Sequence, residues 1–65
     1  MKKQITFTYQ VINNFMNYSG GTIFHEEHII PCKINSEDWQ KENLPMYQNG
    51  DFKLISTVLN FKLFP

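Results

Sequence analysis

The residues of this sequence that could do chemistry lie together near its middle. They are the segment His25-Glu26-Glu27-His28 and Cys32, four positions further on. Zinc proteases of the His-Glu-x-x-His type need two histidines four positions apart on a helix. Here the histidines are three positions apart in a segment that favours a strand, where they would point to opposite faces. The spacing therefore argues against a protease.

A metal site and a nucleophile are the other kinds of chemistry that this segment could support. A zinc site on His25, His28 and Cys32 would lack a fourth ligand, and the chain has no second cysteine. Cys32 beside a histidine could form a nucleophile and base, oriented by Glu26 or Glu27. However, 65 residues leave little room for a pocket of the usual few hundred Å³. We interpret Cys32 as a small buried hydrophobe and predict no enzyme activity, no metal and no cofactor.

The acidic residues are concentrated in the middle third of the chain, whereas the lysines are scattered. Six acidic residues balance six lysines and there is no arginine. This argues against nucleic acid as a partner, because arginine commonly binds phosphates and guanine. A large aromatic side chain in a polar surround is typical of protein interfaces. We therefore predict a partner-binding surface containing Glu26, Glu27, Glu37, Asp38, Trp39, Glu42, Met46 and Tyr47. The sequence leaves open whether Trp39 instead anchors a helix on the core.

The N-terminal third predicts a strand followed by a loop. Apolar and polar residues alternate from Ile5 to Val11, which is the pattern of a strand with one buried face. Asparagine and glycine between Asn13 and Gly21 favour turns, and Phe15 and Met16 are expected to pin this loop.

A second strand is predicted within residues 22–34, which are rich in β-branched side chains. We expect it to pair antiparallel with the first strand. The doublets Glu26-Glu27 and Ile29-Ile30 interrupt the alternation and suggest a bulge. Pro31 lacks a backbone donor, so it is expected at an edge or at the end of the strand.

A short helix is predicted from about Ser36 to Asn43. Asn35 is a suitable capping residue, and acidic residues in the first turn favour a helix N-terminus. Pro45 is expected to end the helix, and Asn49-Gly50 marks a turn into a last strand.

The most informative stretch is Phe52–Phe64, which alternates as a half-buried strand does. Its predicted buried face is Ile55, Thr57, Leu59, Phe61 and Leu63, with Ser56, Asn60 and Lys62 opposite. A helix is the rival interpretation, because Leu54, Ile55, Val58, Leu59 and Lys62 also fit helical spacing. A strand of this length is expected to bend, and an exposed apolar edge must be covered by another strand, a helix or a second chain.

Together these elements predict a single α+β domain, residues 1–65, with an antiparallel sheet of about three strands and one short helix in the order β-β-α-β. Six phenylalanines, three tyrosines and one tryptophan supply the core of a chain without alanine. The single cysteine excludes an internal disulfide and suggests a cytoplasmic protein. The sequence has no apolar targeting segment and no run of about 18 apolar residues that could span a membrane.

Three functions fit these observations. The first is an inhibitor that blocks a protein partner, such as a host enzyme handling nucleic acid, with acidic side chains in place of phosphates. Lysine, asparagine and isoleucine are frequent, and small charge-balanced chains of this kind are similar to phage-encoded inhibitors of host enzymes in size and composition, without a shared motif. The second is a homo-oligomeric structural or accessory protein assembled through its C-terminal strand. The third is a single-strand nucleic-acid binder that stacks bases on Phe7, Tyr9 and Phe24.

Overall fold

The protein folds as one three-stranded antiparallel sheet with a helical layer against one of its faces. The computed structural model describes residues 1–14 and 19–64, with side chains for 1–14 and 19–60. The strands are β1 (Lys2–Val11), β2 (Ile23–Pro31) and β3 (Phe52–Phe64), in the order β2-β1-β3. The helix α1 (Ser36–Asn43) and a 3-10 turn (Pro45–Tyr47) connect β2 to β3. The predicted α+β fold is confirmed, whereas the predicted loop residues Phe15, Met16, Asn17 and Tyr18 lie outside the described residues.

Strand β1 is the central strand, since it pairs with β2 on one side and with β3 on the other. Its odd-numbered residues Ile5, Phe7, Tyr9 and Val11 are at most 2% exposed. Of these, Ile5, Phe7 and Tyr9 pack with Ile30 and with the helical layer, so we name this side of the sheet the helix face. The even-numbered residues from Gln4 to Gln10 lie on the other side, the open face. The predicted buried face of β1 is confirmed.

Strand β2 pairs with β1 in one continuous register, from Lys2 opposite Pro31 to Gln10 opposite Ile23. The predicted bulge at the Glu26-Glu27 or Ile29-Ile30 doublets is therefore wrong. Regular alternation is retained because one residue of each doublet lies on each face, and only Ile30 of the strand is fully buried. Pro31 is the last residue of the strand, so its missing N–H removes no hydrogen bond between β1 and β2.

Helix α1 begins and ends where the sequence predicts. The Asn35 side chain accepts a hydrogen bond from the Asp38 N–H at 3.1 Å, which satisfies one of the free donors of the first turn. Pro45 starts the 3-10 turn directly after the helix. The Asn49 side chain accepts from the Asp51 N–H at 2.8 Å and holds the turn into β3. No helix among the described residues is long and apolar enough to cross a membrane.

Strand β3 pairs with β1 along its whole length, which settles its conformation as a strand rather than a helix. Its register shifts twice, between the partners of Thr8 and Tyr9 and between those of Lys3 and Gln4. These shifts interrupt the alternation that the sequence predicts across the whole strand.

The first shift changes which side chains of β3 face the helical layer. Leu54 lies opposite Tyr9 on the helix face, and Ile55 falls at the irregularity, 46% exposed. Beyond it, Thr57 and Leu59 lie on the helix face as predicted, but Leu59 is also 46% exposed. The predicted buried face is thus wrong for Ile55 and Leu59, and the side chains of residues 61–64 lie outside the described ones.

Candidate interaction surfaces

The eight residues predicted to bind a partner do not form one surface. Glu26 lies opposite Phe7 on the helix face, whereas Glu27 lies opposite Thr6 on the open face. Adjacent residues of a regular strand point to opposite sides. The two neighbouring carboxylates therefore lie on different faces of the sheet.

Trp39 and Tyr47 anchor the helical layer on the sheet. The Trp39 ring stacks on Phe7 with centroids 6.0 Å apart and planes within 6°. Tyr47 contacts Tyr9 and Phe52, at centroid distances of 4.7 and 5.0 Å. Both side chains are half-buried, and both pack against the core cluster.

Glu26 ties the 3-10 turn to strand β2. One carboxylate oxygen accepts from the Tyr47 hydroxyl at 3.0 Å, and the other lies 3.0 Å from Nε2 of His28. His25 is on the open face instead, with its Nδ1 2.8 Å from the Thr8 hydroxyl. The two histidines are thus separated by the sheet, as the sequence predicts. The described residues contain no group of three potential metal ligands and no detected pocket.

A second polar group is buried where α1 meets the sheet. The Tyr9 hydroxyl donates to Oε1 of Gln40 at 2.6 Å, and the Gln48 side chain donates to the same oxygen at 2.7 Å. Gln48 also donates to the Leu44 carbonyl at 3.0 Å. Among the described residues no buried side-chain polar atom lacks a hydrogen-bond partner. This network fixes the position of the helix, because an unmet buried donor would be costly.

Tyr9 should make the protein less stable in alkali. Burial, together with the negative charge of Glu26 and the neighbouring Tyr47, raises the pKa of Tyr9 from 10.0 to about 12. Between these values the unfolded chain releases the proton and the folded chain keeps it. The free energy of unfolding therefore falls by about 1 kcal/mol per pH unit from pH 10 to 12, and is unaffected by this group below pH 10. Urea unfolding of the wild type and of Tyr9→Phe at several pH values measures the free energy of unfolding. Between pH 10 and 12 this free energy should fall less steeply with pH in the variant, which lacks the Tyr9 hydroxyl. Equal pH dependence in the two proteins would contradict the prediction.

The exposed residues of the predicted set are Glu27 on β2 and four residues of the helical layer. These four are Glu37, Asp38, Glu42 and Met46, and we name them the acidic helix surface. All four are exposed, Met46 by 52%. Asp38 and Glu42 are four positions apart and lie on one side of α1. Lys41 is four positions from Glu37 and reduces the negative charge there. This surface is smaller than the one predicted from the sequence.

The edge of the sheet at β3 presents an uncharged segment, Leu54–Asn60, which we name the β3 edge. Its branched aliphatic residues Ile55, Val58 and Leu59 are 46%, 50% and 46% exposed. Val58 lies opposite Thr6 on the open face and Leu59 opposite Ile5 on the helix face. Apolar side chains are therefore exposed on both sides of one edge strand. Our predicted site residues omit them, although the absence of charge in this segment is visible in the sequence.

The opposite edge of the sheet, at β2, is different in composition. It carries the segment His25-Glu26-Glu27-His28 and ends at Pro31. Charged side chains and proline are devices by which natural sheets prevent their edges from pairing. The β2 edge is protected in this way, whereas the described side chains from Leu54 to Asn60 give the β3 edge no such protection.

The aromatic residues that the sequence offers as a stacking platform for bases lie on the covered side of the sheet. Phe7 and Tyr9 have no exposed surface, and Phe24 packs against the core cluster. A base could reach Phe7 and Tyr9 only if the helical layer left the sheet. The proposed stacking platform is therefore wrong for Phe7 and Tyr9, whereas Phe24 is half-buried.

Among the described residues, the β3 edge and the acidic helix surface are two candidate surfaces for a partner. They are independent, because the first belongs to a strand at one side of the sheet and the second to the exposed side of α1. Comparison of the chain with protein-family models, with curated proteins and with solved structures found no match.

Proposed function

We propose that this chain is a protein-binding module that acts by strand addition, in which the β3 edge pairs with an extended strand of another chain. The observation that carries the proposal is the composition of the β3 edge. Seven consecutive uncharged residues at the side of the sheet expose branched aliphatic side chains on both faces. An added strand would bury them and would pair the backbone groups that point away from β1.

The physical requirements of strand addition explain why this edge suits it. Backbone hydrogen bonds supply affinity, and alternate side chains supply specificity. A strand laid against the β3 edge would contact Val58 on the open face and Leu59 on the helix face. Cross-strand pairs of this kind contribute roughly 0.2–1 kcal/mol each. The β2 edge offers the same backbone groups but sets charged side chains beside them.

A peptide selection tests this proposal without knowledge of the natural partner. The chain is immobilised at a density low enough to keep its copies apart, and displayed random peptides of about ten residues are selected on it. We expect the selection to enrich extended peptides with alternating apolar residues. Their affinity for the Val58→Lys variant should be at least about tenfold lower than for the wild type.

The matched control is Ile29→Lys. Ile29 is 51% exposed on the same open face, opposite Gln4, but it lies at the β2 edge. Peptide binding should be unchanged in this variant. Selected peptides that bind both lysine variants equally well, or a selection without enriched peptides, would overturn the proposal.

The acidic helix surface supports a second candidate, an inhibitor encoded by a phage or mobile element that blocks a host enzyme handling nucleic acid. Its exposed carboxylates Glu37, Asp38 and Glu42 would occupy a basic groove in place of phosphates, and Met46 would add an apolar contact. Such a protein would act in the host cytoplasm, where the thiol of Cys32 stays reduced.

Charge reversal separates this candidate from strand addition. Purified nucleases and polymerases are assayed in the presence of the chain, and of a variant with lysine at positions 37, 38 and 42. The inhibitor hypothesis expects inhibition that competes with nucleic acid and is lost in the triple variant but kept in Val58→Lys. Inhibition that survives charge reversal, or none across the set of enzymes, counts against it.

A further inference from the structure

We propose that the strand that pairs with the β3 edge is β3 of a second copy of the chain, so that the protein is a symmetric dimer with its two-fold axis at Thr57. This inference rests on the proposed strand addition and names its partner. The two sheets would join into one sheet of six strands, with both helical layers on the same side.

The geometry of a symmetric edge-to-edge contact determines which residues meet. Two identical edges pair antiparallel about a two-fold axis perpendicular to the sheet, so side chains opposite each other lie on the same face. With the axis at Thr57, Ile55 meets Leu59, Ser56 meets Val58, and Thr57 meets its own copy. Thr57 is also the midpoint of the uncharged segment Leu54–Asn60. The register therefore matches residues 55–59 with themselves, whereas Leu54 and Asn60 lie on different faces because of the register shift next to Ile55.

The composition of the β3 edge favours this self-pairing. Ile55 and Leu59, which are both 46% exposed in one copy, would cover each other in the dimer. Thr57 against Thr57 is a favourable cross-strand pair. No charged residue opposes another within the segment, because residues 54–60 carry none. An isologous interface needs a surface that is complementary to itself, and an uncharged segment matched about its own centre meets that condition.

Pairing the β2 edge with its own copy about a two-fold axis would be unfavourable. A symmetric antiparallel pair centred on Glu26 or on Glu27 sets each of these carboxylates against its own copy. Like charges directly opposite each other destabilise a strand pair. Because the two copies also have zero net charge, no long-range repulsion hinders their approach, and the β3 edges are the ones that meet.

Sedimentation equilibrium over a concentration series tests the dimer. We expect wild type and Ile29→Lys to reach the dimer mass. Val58→Lys should weaken the dimer at least about tenfold, because it places a charge beside the copy's Ser56 in a partly desolvated contact. Ile29 and Val58 are 51% and 50% exposed on the same face, so the comparison isolates the edge. Circular dichroism checks that each variant is folded.

A disulfide cross-link tests the register and stays informative if Val58→Lys fails to fold. Cys32 is replaced by serine, and Thr57→Cys is introduced at the proposed axis. Directly opposite residues have Cα atoms about 4.5–5.5 Å apart, within the range of about 4.4–6.8 Å that a disulfide spans, so mild oxidation should yield a covalent dimer. Glu27→Cys in the same Cys32→Ser background is the control at the β2 edge and should remain monomeric after oxidation.

The outcomes distinguish the dimer from strand addition in general. A monomeric wild type that still binds selected peptides through the β3 edge overturns the dimer and leaves the proposed function standing. A monomer that binds no such peptide overturns both. A dimer that Ile29→Lys dissociates, or that Glu27→Cys cross-links, places the contact at β2 and also overturns the inference.

Discussion

Replacing Phe7 with alanine is expected to unfold the protein at room temperature. Phe7 has no exposed surface, stacks on Trp39 and lies 6.1 Å from the His28 ring. Removing a buried phenylalanine ring costs about 3–5 kcal/mol. A domain of this size has only about 3–5 kcal/mol of stability from its core. Urea unfolding followed by circular dichroism, at one fixed protein concentration, measures the loss.

Ile29→Ala is the matched control for this prediction. Ile29 is 51% exposed on the open face, so its truncation leaves no cavity and should cost about 1 kcal/mol or less. If Phe7→Ala were no more destabilising than Ile29→Ala, the helical layer would not be packed on the sheet as described. The comparison therefore tests the two-layer arrangement as well as one residue.

Replacing Gln40 with leucine is expected to destabilise the protein by about 2–3 kcal/mol, and a second substitution, Tyr9→Phe, should recover part of that loss. Gln40 is 2% exposed and is the acceptor of the Tyr9 hydroxyl. Without it, the buried hydroxyl has no partner, which costs about 1–3 kcal/mol. Gln48 is less affected, because its side chain still donates to the Leu44 carbonyl.

A double-mutant cycle measures this coupling. Tyr9→Phe alone should cost about 1 kcal/mol, since Gln40 still accepts from Gln48. In the double variant the unpartnered hydroxyl is gone, so it should be more stable than Gln40→Leu alone. Additive effects of the two substitutions would mean that the hydroxyl and the amide do not interact.

These two predictions concern the contacts that leave the β3 edge exposed. The helical layer is fixed over Phe7 and Tyr9 by Trp39, Gln40 and Tyr47. It therefore covers the centre of the sheet, its β2 side and the beginning of β3 at Phe52 and Leu54. Leu59, further along β3 on the same face, stays 46% exposed. The incomplete cover of the helix face is thus part of what makes the β3 edge available to a partner.

Local patterns in the sequence are sufficient to predict most of the secondary structure. The alternation from Ile5 to Val11, the capping residue Asn35 and the helix-ending Pro45 act through contacts within a few residues. Each is confirmed by burial, by a hydrogen bond or by an element boundary. The strand at Phe52–Phe64 is also confirmed, because its alternation is long enough to outweigh the rival helical spacing.

The sequence alone does not locate the irregularities in strand pairing. They depend on how two strands match across the sheet, which is a relation between distant segments. Doublets in β2 suggest a bulge there, yet its register is continuous and the shifts occur in β3. As a result Ile55 falls at an irregularity and is exposed rather than buried. Leu59 keeps its predicted face and is exposed because the helical layer does not cover it.

The acidic and aromatic residues predicted to bind a partner are close together in the sequence, and the tertiary structure separates them. The sheet places Glu26 and Glu27 on opposite faces, and packing on Phe7 takes up Trp39. The sequence determined the elements, because these follow from local periodicity and capping. The tertiary structure decided which side chains stay exposed, because exposure depends on where one helix of eight residues can cover a three-stranded sheet.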